Sequence, residues 1–174
     1  MYYITQYQSP LGKLLLASDG ENIIGLWLEG QKYFGEAVKS EKTQKDDLPV
    51  FAAAREWLDR YFSGEKPGIN ELPLAPRGSS FSQKVWKSLC EIPYGQITCY
   101  GEIAKKIAIM EHKTSMSSQA IGGAISIIIP CHRVVGANGN LTGYAGGIAK
   151  KVKLLDLEGV DMTDLTIPTK GTAL

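Results

Sequence analysis

The feature that most constrains the fold is a run of chain-breaking residues between Pro67 and Ser79. This stretch contains three prolines and two glycines: Pro67, Gly68, Pro73, Pro76 and Gly78. Proline lacks a backbone donor and glycine weakens regular structure, so neither a helix nor a strand should continue through the segment. A chain of 174 residues can hold one domain or two small ones. We therefore predict an N-terminal domain over residues 1–76 and a second domain over residues 77–160.

The N-terminal part is predicted to form an antiparallel sheet with one helix. Strand-like segments at Tyr2–Gln8, Lys13–Ala17 and Ile23–Leu28 are separated by short turns rich in Gly, Pro, Asp and Asn. Short turns between successive strands require antiparallel pairing. A helix should open at residues 47–49, with a proline in its first turn, and continue through Ala52–Phe62.

The second part is predicted to be mostly helical. Ser80 and Gln83 fit the capping box of a first helix, whose apolar face comprises Val85, Trp86, Leu89 and Cys90. After a turn at 92–95, Thr98 is expected to cap a second helix that runs from Cys99 to about Ile109. A third helix, from about Ser117 to Ile125, completes a pattern typical of a helix-turn-helix unit.

The third predicted helix contains two adjacent glycines, Gly122 and Gly123. Each costs about 1 kcal/mol relative to alanine in a helix, which indicates close approach of another surface, either a neighbouring helix or a nucleic acid.

Residues 77–160 carry 10 basic and 5 acidic side chains, a net charge of +5, whereas residues 1–76 carry 8 basic and 11 acidic side chains, a net charge of −3. The charge difference by itself supports a polyanionic partner and a chance scatter of surface charge about equally. Combined with the helix-turn-helix pattern, it favours a nucleic acid over a neighbouring helix beside the two glycines.

The cysteine content indicates a reducing compartment. Cys90, Cys99 and Cys131 are odd in number and lack CxxC spacing, which argues against a disulfide framework or a zinc finger. With only two histidines, no metal site is expected. No segment has the length and apolarity of a membrane span, and the N-terminus lacks a secretory signal pattern. We predict a cytoplasmic protein with no metal, cofactor or membrane partner.

The strongest chemical signal is Cys131, which lies between Pro130 and His132 after the apolar run Ile127–Ile129. Proline should break strand pairing here and present the thiol at the end of a buried strand. The histidine could remove the thiol proton, through a water if the two side chains do not touch. Most buried cysteines are inert, so these residue types alone leave the role of the thiol open.

A carboxylate that could orient His132 lies downstream. The glycine-rich loop Gly143–Gly147 precedes a predicted helix, Ile148–Gly159, whose apolar spacing places Glu158 on or beside its buried face. A buried carboxylate needs a partner, and His132 is a candidate. The alternative is a solvated Glu158 at a frayed helix end, and the spacing alone favours this alternative.

Together these motifs resemble the O6-alkylguanine-DNA alkyltransferase family, also called methylated-DNA–protein-cysteine methyltransferases. The resemblance rests on Pro-Cys-His-Arg-Val at 130–134, Gly-Tyr-Ala-Gly-Gly at 143–147 and the helix end Leu154–Gly159. It runs from about Phe81 to Gly159 and extends more weakly over the N-terminal part. It implies an α+β fold, with an N-terminal ribonuclease-H-like antiparallel sheet and helix and a C-terminal winged helix-turn-helix domain.

The resemblance also implies DNA repair in a single turnover. Cys131 would take the alkyl group from O6 of guanine and keep it, so that the protein is irreversibly inactivated. His132 would act as base through a water, Glu158 would orient His132, and Tyr100 would help rotate the base and donate a proton to the departing guanine. Such chemistry requires the base to leave the duplex stack. The sequence leaves open the preferred alkyl size and whether O4-alkylthymine is also a substrate.

Further positions match the family's binding surfaces. Val134, Gly143, Tyr144 and Ala145 match the walls of the pocket for the extruded base. Contacts to the minor groove of double-stranded DNA are implied for a second set: Ser82, Gln119, Ala120, Gly122, Gly123 and Arg133. Gln119 stands where many members have an arginine, and it offers less charge and stacking. A lone lesion has no two-fold symmetry, so a monomer is expected.

A second departure from the family lies directly before the cysteine. Members usually carry a short stretch with Gly and Asn-Pro between the recognition helix and the Ile-Pro-Cys strand, whereas here Gly122–Ile125 runs straight into Ser126–Pro130. The asparagine that braces the active-site turn therefore has no counterpart. We expect slower alkyl transfer with DNA binding partly retained.

The alternative functions are a non-enzymatic or impaired lesion-binding protein of the same fold, and a thiol hydrolase. Residues 161–174 are predicted to form a flexible tail.

Overall fold

A computed structural model describes residues 1–31, 34–35, 38–39, 41–111, 125–141 and 143–167, without the side chains of 108–111. Two compact units are present: residues 1–77 with 124–128, and residues 78–123 with 129–174. Sheet and helices occur together, so the predicted α+β class is confirmed. Within the described ranges, no helix combines the length and apolarity that crossing a membrane would require. The third predicted helix lies outside the described residues, except for Ile125 at its end, which forms an isolated bridge to Leu26 instead.

The first unit is built on a four-stranded sheet of order β3-β2-β1-β4. Its strands are β1 (Tyr2–Ser9), β2 (Gly12–Ser18), β3 (Ile23–Leu28) and β4 (Lys42–Gln44). The first three pair antiparallel, as their short turns predicted. The short β4 pairs parallel to β1 and was not predicted, because its three exposed residues carry no apolar alternation.

Helix α1 (Pro49–Phe62) contacts the three antiparallel strands. It begins with proline in its first turn, where a missing N–H leaves no intrahelical bond unmade. Its buried residues recur three or four positions apart, which gives one apolar stripe: Val50, Phe51, Ala54, Trp57, Leu58 and Tyr61. The burial of this stripe supplies the main stabilisation of the unit.

The breaker-rich segment pairs with the sheet instead of forming a free linker. The Ile23 amide donates to the Pro73 carbonyl (2.8 Å), and the Ala75 amide donates to the Ile23 carbonyl (2.9 Å). Leu72 is buried, and Leu74 forms a bridge with Ile23. Prolines are tolerated here because the segment lies on the outer edge of β3.

The second unit contains α2 (Ser80–Cys90), β5 (Thr98–Cys99), α3 (Tyr100–Glu111), β6 (Val134–Val135) and α4 (Ile148–Leu157). Two predicted helix starts are wrong by one residue. The cap of α2 is Ser79, whose hydroxyl accepts from the Ser82 amide (3.1 Å), and Ser80 is already helical. Thr98 pairs in parallel with Val134, so α3 begins at Tyr100 and not at Cys99.

The chain after Gly159 is ordered as far as it is described. The Thr166 amide donates to the Gly139 carbonyl, and the Leu141 amide donates to the Thr166 carbonyl, both at 2.9 Å. Leu165 packs on the apolar cluster of Val135, Leu141 and Leu155. The prediction of a flexible tail is therefore wrong up to residue 167. The reason is that the few apolar residues of this polar stretch pack on the loop that follows β6. Residues 168–174 lie outside the described ranges.

Candidate active site

Cys131, His132 and Arg133 form one turn of 3-10 helix. The preceding residues are not the predicted buried strand. Instead, the Ile128 amide donates to the Ser126 carbonyl and the Cys131 amide donates to the Ile129 carbonyl, both at 2.8 Å, which are tight turns. All three residues of the turn are buried, so any charge among them must be matched within the protein.

Glu158 directly follows α4 and supplies that matching charge. Its side chain is 0% exposed, and its Oε2 lies 2.6 Å from Nε2 of His132. Oε1 accepts from Nε of Arg133 (2.7 Å) and from the backbone amide of Gly95 (3.1 Å). The expectation that Glu158 lies on the buried face and meets His132 is confirmed, and the solvated alternative is wrong.

Arg133 lies in the protein interior. Besides its bonds to Glu158, its Nη1 donates to the Ile92 carbonyl (2.6 Å), and its guanidinium lies 5.7 Å from the centre of the Tyr94 ring. These contacts join the end of α2, the following turn and the end of α4. These bonds give Arg133 an internal structural role, and its predicted contact with DNA stays a prediction.

Burial and the neighbouring charges together determine the protonation of His132. Burial lowers the pKa of His132, and the nearby Arg133 and Lys151 charges lower it further, against the opposing effect of Glu158. Because Arg133 already neutralises Glu158, the imidazole stays neutral and donates its Nε2–H to the carboxylate. The other nitrogen, Nδ1, then carries a lone pair, and among the described residues it has no hydrogen-bond partner. The site thus holds a buried proton acceptor.

The Cys131 thiol is neutral at rest. Burial raises its pKa to about 11, although the charge of Lys151 opposes that increase. At pH 7 only about one thiol in 10⁴ would be ionised. A reaction at this sulfur therefore needs a base to remove the proton.

Lys151 is a site residue that sequence reasoning missed. It is 0% exposed, and its Nζ donates to the Val134 carbonyl (2.5 Å). Burial lowers its pKa to about 8, and the interaction with Cys131 opposes that decrease. In the sequence it resembles a solvated lysine between Lys150 and Lys153. Its position three residues before Leu154, on the buried face of α4, was the available signal.

One of the predicted pocket residues, Gly143, contacts Tyr100. The Tyr100 hydroxyl donates to the Gly143 carbonyl (3.1 Å), and Gly143 has φ +56°, a conformation that favours glycine. Tyr144 is buried, its hydroxyl has no partner among the described residues, and burial raises its pKa. Ala145 is half-buried, and Val134 presents its carbonyl to Lys151.

The predicted DNA-contacting residues are only partly described. Ser82 lies in the first turn of α2, with its amide bonded to the hydroxyl of Ser79. Gln119, Ala120, Gly122 and Gly123 lie outside the described residues. In the part of the chain that the structure covers, no three His, Cys, Asp or Glu side chains are grouped so that they could hold a metal ion.

Two family descriptions match almost the whole chain. Residues 1–76 match "6-O-methylguanine DNA methyltransferase, ribonuclease-like domain", and residues 80–160 match "6-O-methylguanine DNA methyltransferase, DNA binding domain". A Haemophilus influenzae protein named methylated-DNA–protein-cysteine methyltransferase is 41% identical over 98% of this chain and 90% of its own length. A constitutive protein of the same name from Bacillus subtilis is 34% identical over 92% of this chain and 97% of its own.

Solved structures give the same result. The crystal structure of Mycobacterium tuberculosis OGT in complex with DNA superimposes with a TM-score of 0.74 at 39% identity. That match covers 90% of this chain and 91% of the other. The crystal structure of the O6-methylguanine methyltransferase of the same organism gives a TM-score of 0.73.

Proposed function

Because the chain belongs to the 6-O-methylguanine DNA methyltransferase family, we propose that it repairs DNA by transferring an alkyl group from O6 of guanine to Cys131 in one irreversible turnover. The observation that carries this proposal is the arrangement around His132. A neutral, buried imidazole is held at Nε2 by Glu158 and keeps a lone pair on Nδ1, and Cys131 precedes it in the same turn. A resting thiol requires such a base.

The proposed reaction begins with proton transfer from the Cys131 thiol, through a water, to Nδ1 of His132. The thiolate sulfur attacks the alkyl carbon, and a new S–C bond forms as the bond between that carbon and O6 breaks. The electron pair of the broken bond goes to guanine, which takes a proton from the Tyr100 hydroxyl. Glu158 stabilises the protonated imidazole, and the positive charge of Lys151 stabilises the thiolate. No step regenerates the thiol.

We propose double-stranded DNA as the partner and its minor groove as the binding site. Support comes from the DNA-binding family description over residues 80–160 and from the relative whose structure contains DNA. Val134, Gly143, Tyr144 and Ala145 would contact the extruded base. Ser82 and the residues Gln119, Ala120, Gly122 and Gly123 would contact the groove. A monomeric, cytoplasmic protein with domains over 1–76 and 77–160 completes the proposal.

The test is to incubate the protein with a duplex that contains O6-methylguanine and to measure the intact protein mass. We expect the mass of one methyl group to be added at Cys131, and no addition with an unmodified duplex or with Cys131→Ser. Binding of the modified duplex without a mass change would instead support the lesion-binding alternative, against which Cys131 argues and which the absent Gly and Asn-Pro stretch leaves open. Repeated turnover on an ester or amide would support the thiol hydrolase.

The absent stretch also yields a rate prediction. A variant with a Gly- and Asn-Pro-containing stretch inserted between Ile125 and Ser126 should transfer the methyl group faster than the natural chain. The reason is that an added asparagine would brace the turn before Cys131. Single-turnover rate constants at saturating DNA measure the effect, and equal rates for the two proteins would refute it.

A further inference from the structure

The segment before the cysteine, Ile125–Ile128, is attached to strand β3. Ile125 forms a bridge with Leu26, and the Ser126 amide donates to the Leu26 carbonyl (3.0 Å). These residues belong to the same compact unit as the sheet. The chain that leads to Cys131 is therefore held by backbone bonds at a point five residues before the thiol.

Gln31 adds a side-chain bond to this attachment. It is 5% exposed, and its Oε1 accepts both from the Leu28 amide (2.9 Å) and from the Ser126 hydroxyl (3.1 Å). The Leu28 N–H fixes the orientation of the amide, because a reversed Gln31 would point its NH₂ group at that donor. Oxygen is thus the atom that faces Ser126, and the hydroxyl must be the donor.

The residue after this attachment has an unfavourable backbone conformation. Ile127 has φ +70°, and the Ile128 amide donates to the Ser126 carbonyl (2.8 Å), as in the rare γ-turn with positive φ. A β-branched residue with positive φ is strained. Such strain persists only where the surroundings impose it. The bonds on Ser126, directly before Ile127, are the observed contacts that can impose it.

We propose that Gln31 and Ser126 are positioning residues for Cys131, and that their hydrogen bond supplies part of the bracing that the absent asparagine would otherwise give. This inference rests on the proposed function. The chain from the γ-turn to the thiol passes only through Ile128, Ile129 and Pro130, and proline fixes its own φ, here −82°. If the backbone at Ser126 becomes more mobile, Cys131 therefore becomes more mobile too, because so few residues separate them. The fraction of molecules in which the sulfur is in line for attack then falls.

The test compares Ser126→Ala and Gln31→Ala with Gln6→Ala, a matched control because Gln6 is exposed on β1 of the same sheet. Three quantities are measured at a temperature well below each unfolding midpoint. They are the single-turnover transfer rate constant at saturating O6-methylguanine duplex, the dissociation constant for that duplex in a Cys131→Ser background, and the thermal midpoint.

We expect Ser126→Ala to lower the transfer rate constant about tenfold, the loss typical of one buried hydrogen bond, with the dissociation constant within about twofold. Gln31→Ala should do the same, and the double variant should be no slower than Gln31→Ala because both act through one bond. Ser126→Thr, which keeps the hydroxyl, should restore the rate. Gln6→Ala should match the natural chain.

A Ser126→Ala protein that is folded and transfers within twofold of the natural rate would overturn the inference. A loss of DNA affinity with an unchanged rate constant would also overturn it. If Ser126→Ala does not fold, the same criteria apply to Ser126→Cys, which keeps the side-chain volume but has only a weak donor. Absence of transfer by the natural chain itself would refute the proposed function, which is a different and separately visible outcome.

Discussion

Replacing Glu158 by glutamine tests the buried charge arrangement with almost no change of shape. The carboxylate accepts from His132, from Arg133 and from the Gly95 amide, and its side chain is 0% exposed. Glutamine offers one oxygen, and its NH₂ group would face a donor. The variant thus leaves the Arg133 charge buried without a counter-charge.

The expected loss of stability follows from that uncompensated charge. Breaking a buried ion pair by removing one partner costs about 3–5 kcal/mol. For a chain of this length each kcal/mol lowers the unfolding midpoint by about 2–4 °C, so a decrease of about 6–20 °C is expected. The transfer rate should fall by about 100-fold or more, because His132 loses the acceptor that keeps its proton on Nε2.

Differential scanning calorimetry and single-turnover transfer measure the two effects. The control is Glu102→Gln on α3, where the Glu102 side chain is 63% exposed and its ion pair with Lys105 is a surface pair. Such pairs contribute little, so the control midpoint should stay within about 2 °C. If the unfolding midpoint of Glu158→Gln is as close to the natural value as that of the control, the predicted cost of the unpaired Arg133 charge is refuted. If a folded Glu158→Gln protein transfers at the natural rate, the predicted role of Glu158 toward His132 is refuted.

Three further predictions concern buried charge and close packing. Lys151→Met should slow transfer most below pH 8, because the amine, with its pKa of about 8, carries there the charge that favours the thiolate. The pH–rate profile measures this effect. It should be unchanged in the control Lys153→Met, because Lys153 is exposed on the same helix. Burial lowers the pKa of His132 below its ordinary 6.5, so the unfolded chain binds more protons and stability should be lost as pH falls through and below 6.5. Urea unfolding between pH 7.5 and 5.5 measures this loss, and a profile identical to that of His132→Asn would contradict it. Gly139→Ala would place a methyl group 2.2 Å from the Asp164 carbonyl oxygen and should release the segment after α4. Faster hydrogen exchange there is the expected sign, and unchanged exchange would disprove the contact.

The elements that local patterns specify were predicted well. Strands β1 to β3 follow from turn residues between apolar segments, and α1 and α4 follow from apolar residues three or four apart. Helical spacing offered the pairing of His132 with Glu158 as a possibility but by itself favoured a solvated Glu158, and the family resemblance supplied the prediction that the two side chains meet. Strand β4 was missed because three exposed polar residues carry no such pattern.

Local sequence patterns sufficed to predict the α+β class, the main helices and strands, and the adjacent thiol and imidazole of Cys131 and His132. The use of the charges around them depends on contacts between segments that are far apart in the chain. Arg133 and Glu158 are 25 residues apart, and Gln31 and Ser126 are 95 apart. The physical reason is that burial makes a polar group depend on its partner, and that partner is set by packing between distant segments rather than by local spacing. For the same reason Lys151 looked like a surface lysine, and the turn at Ile127 looked like a strand.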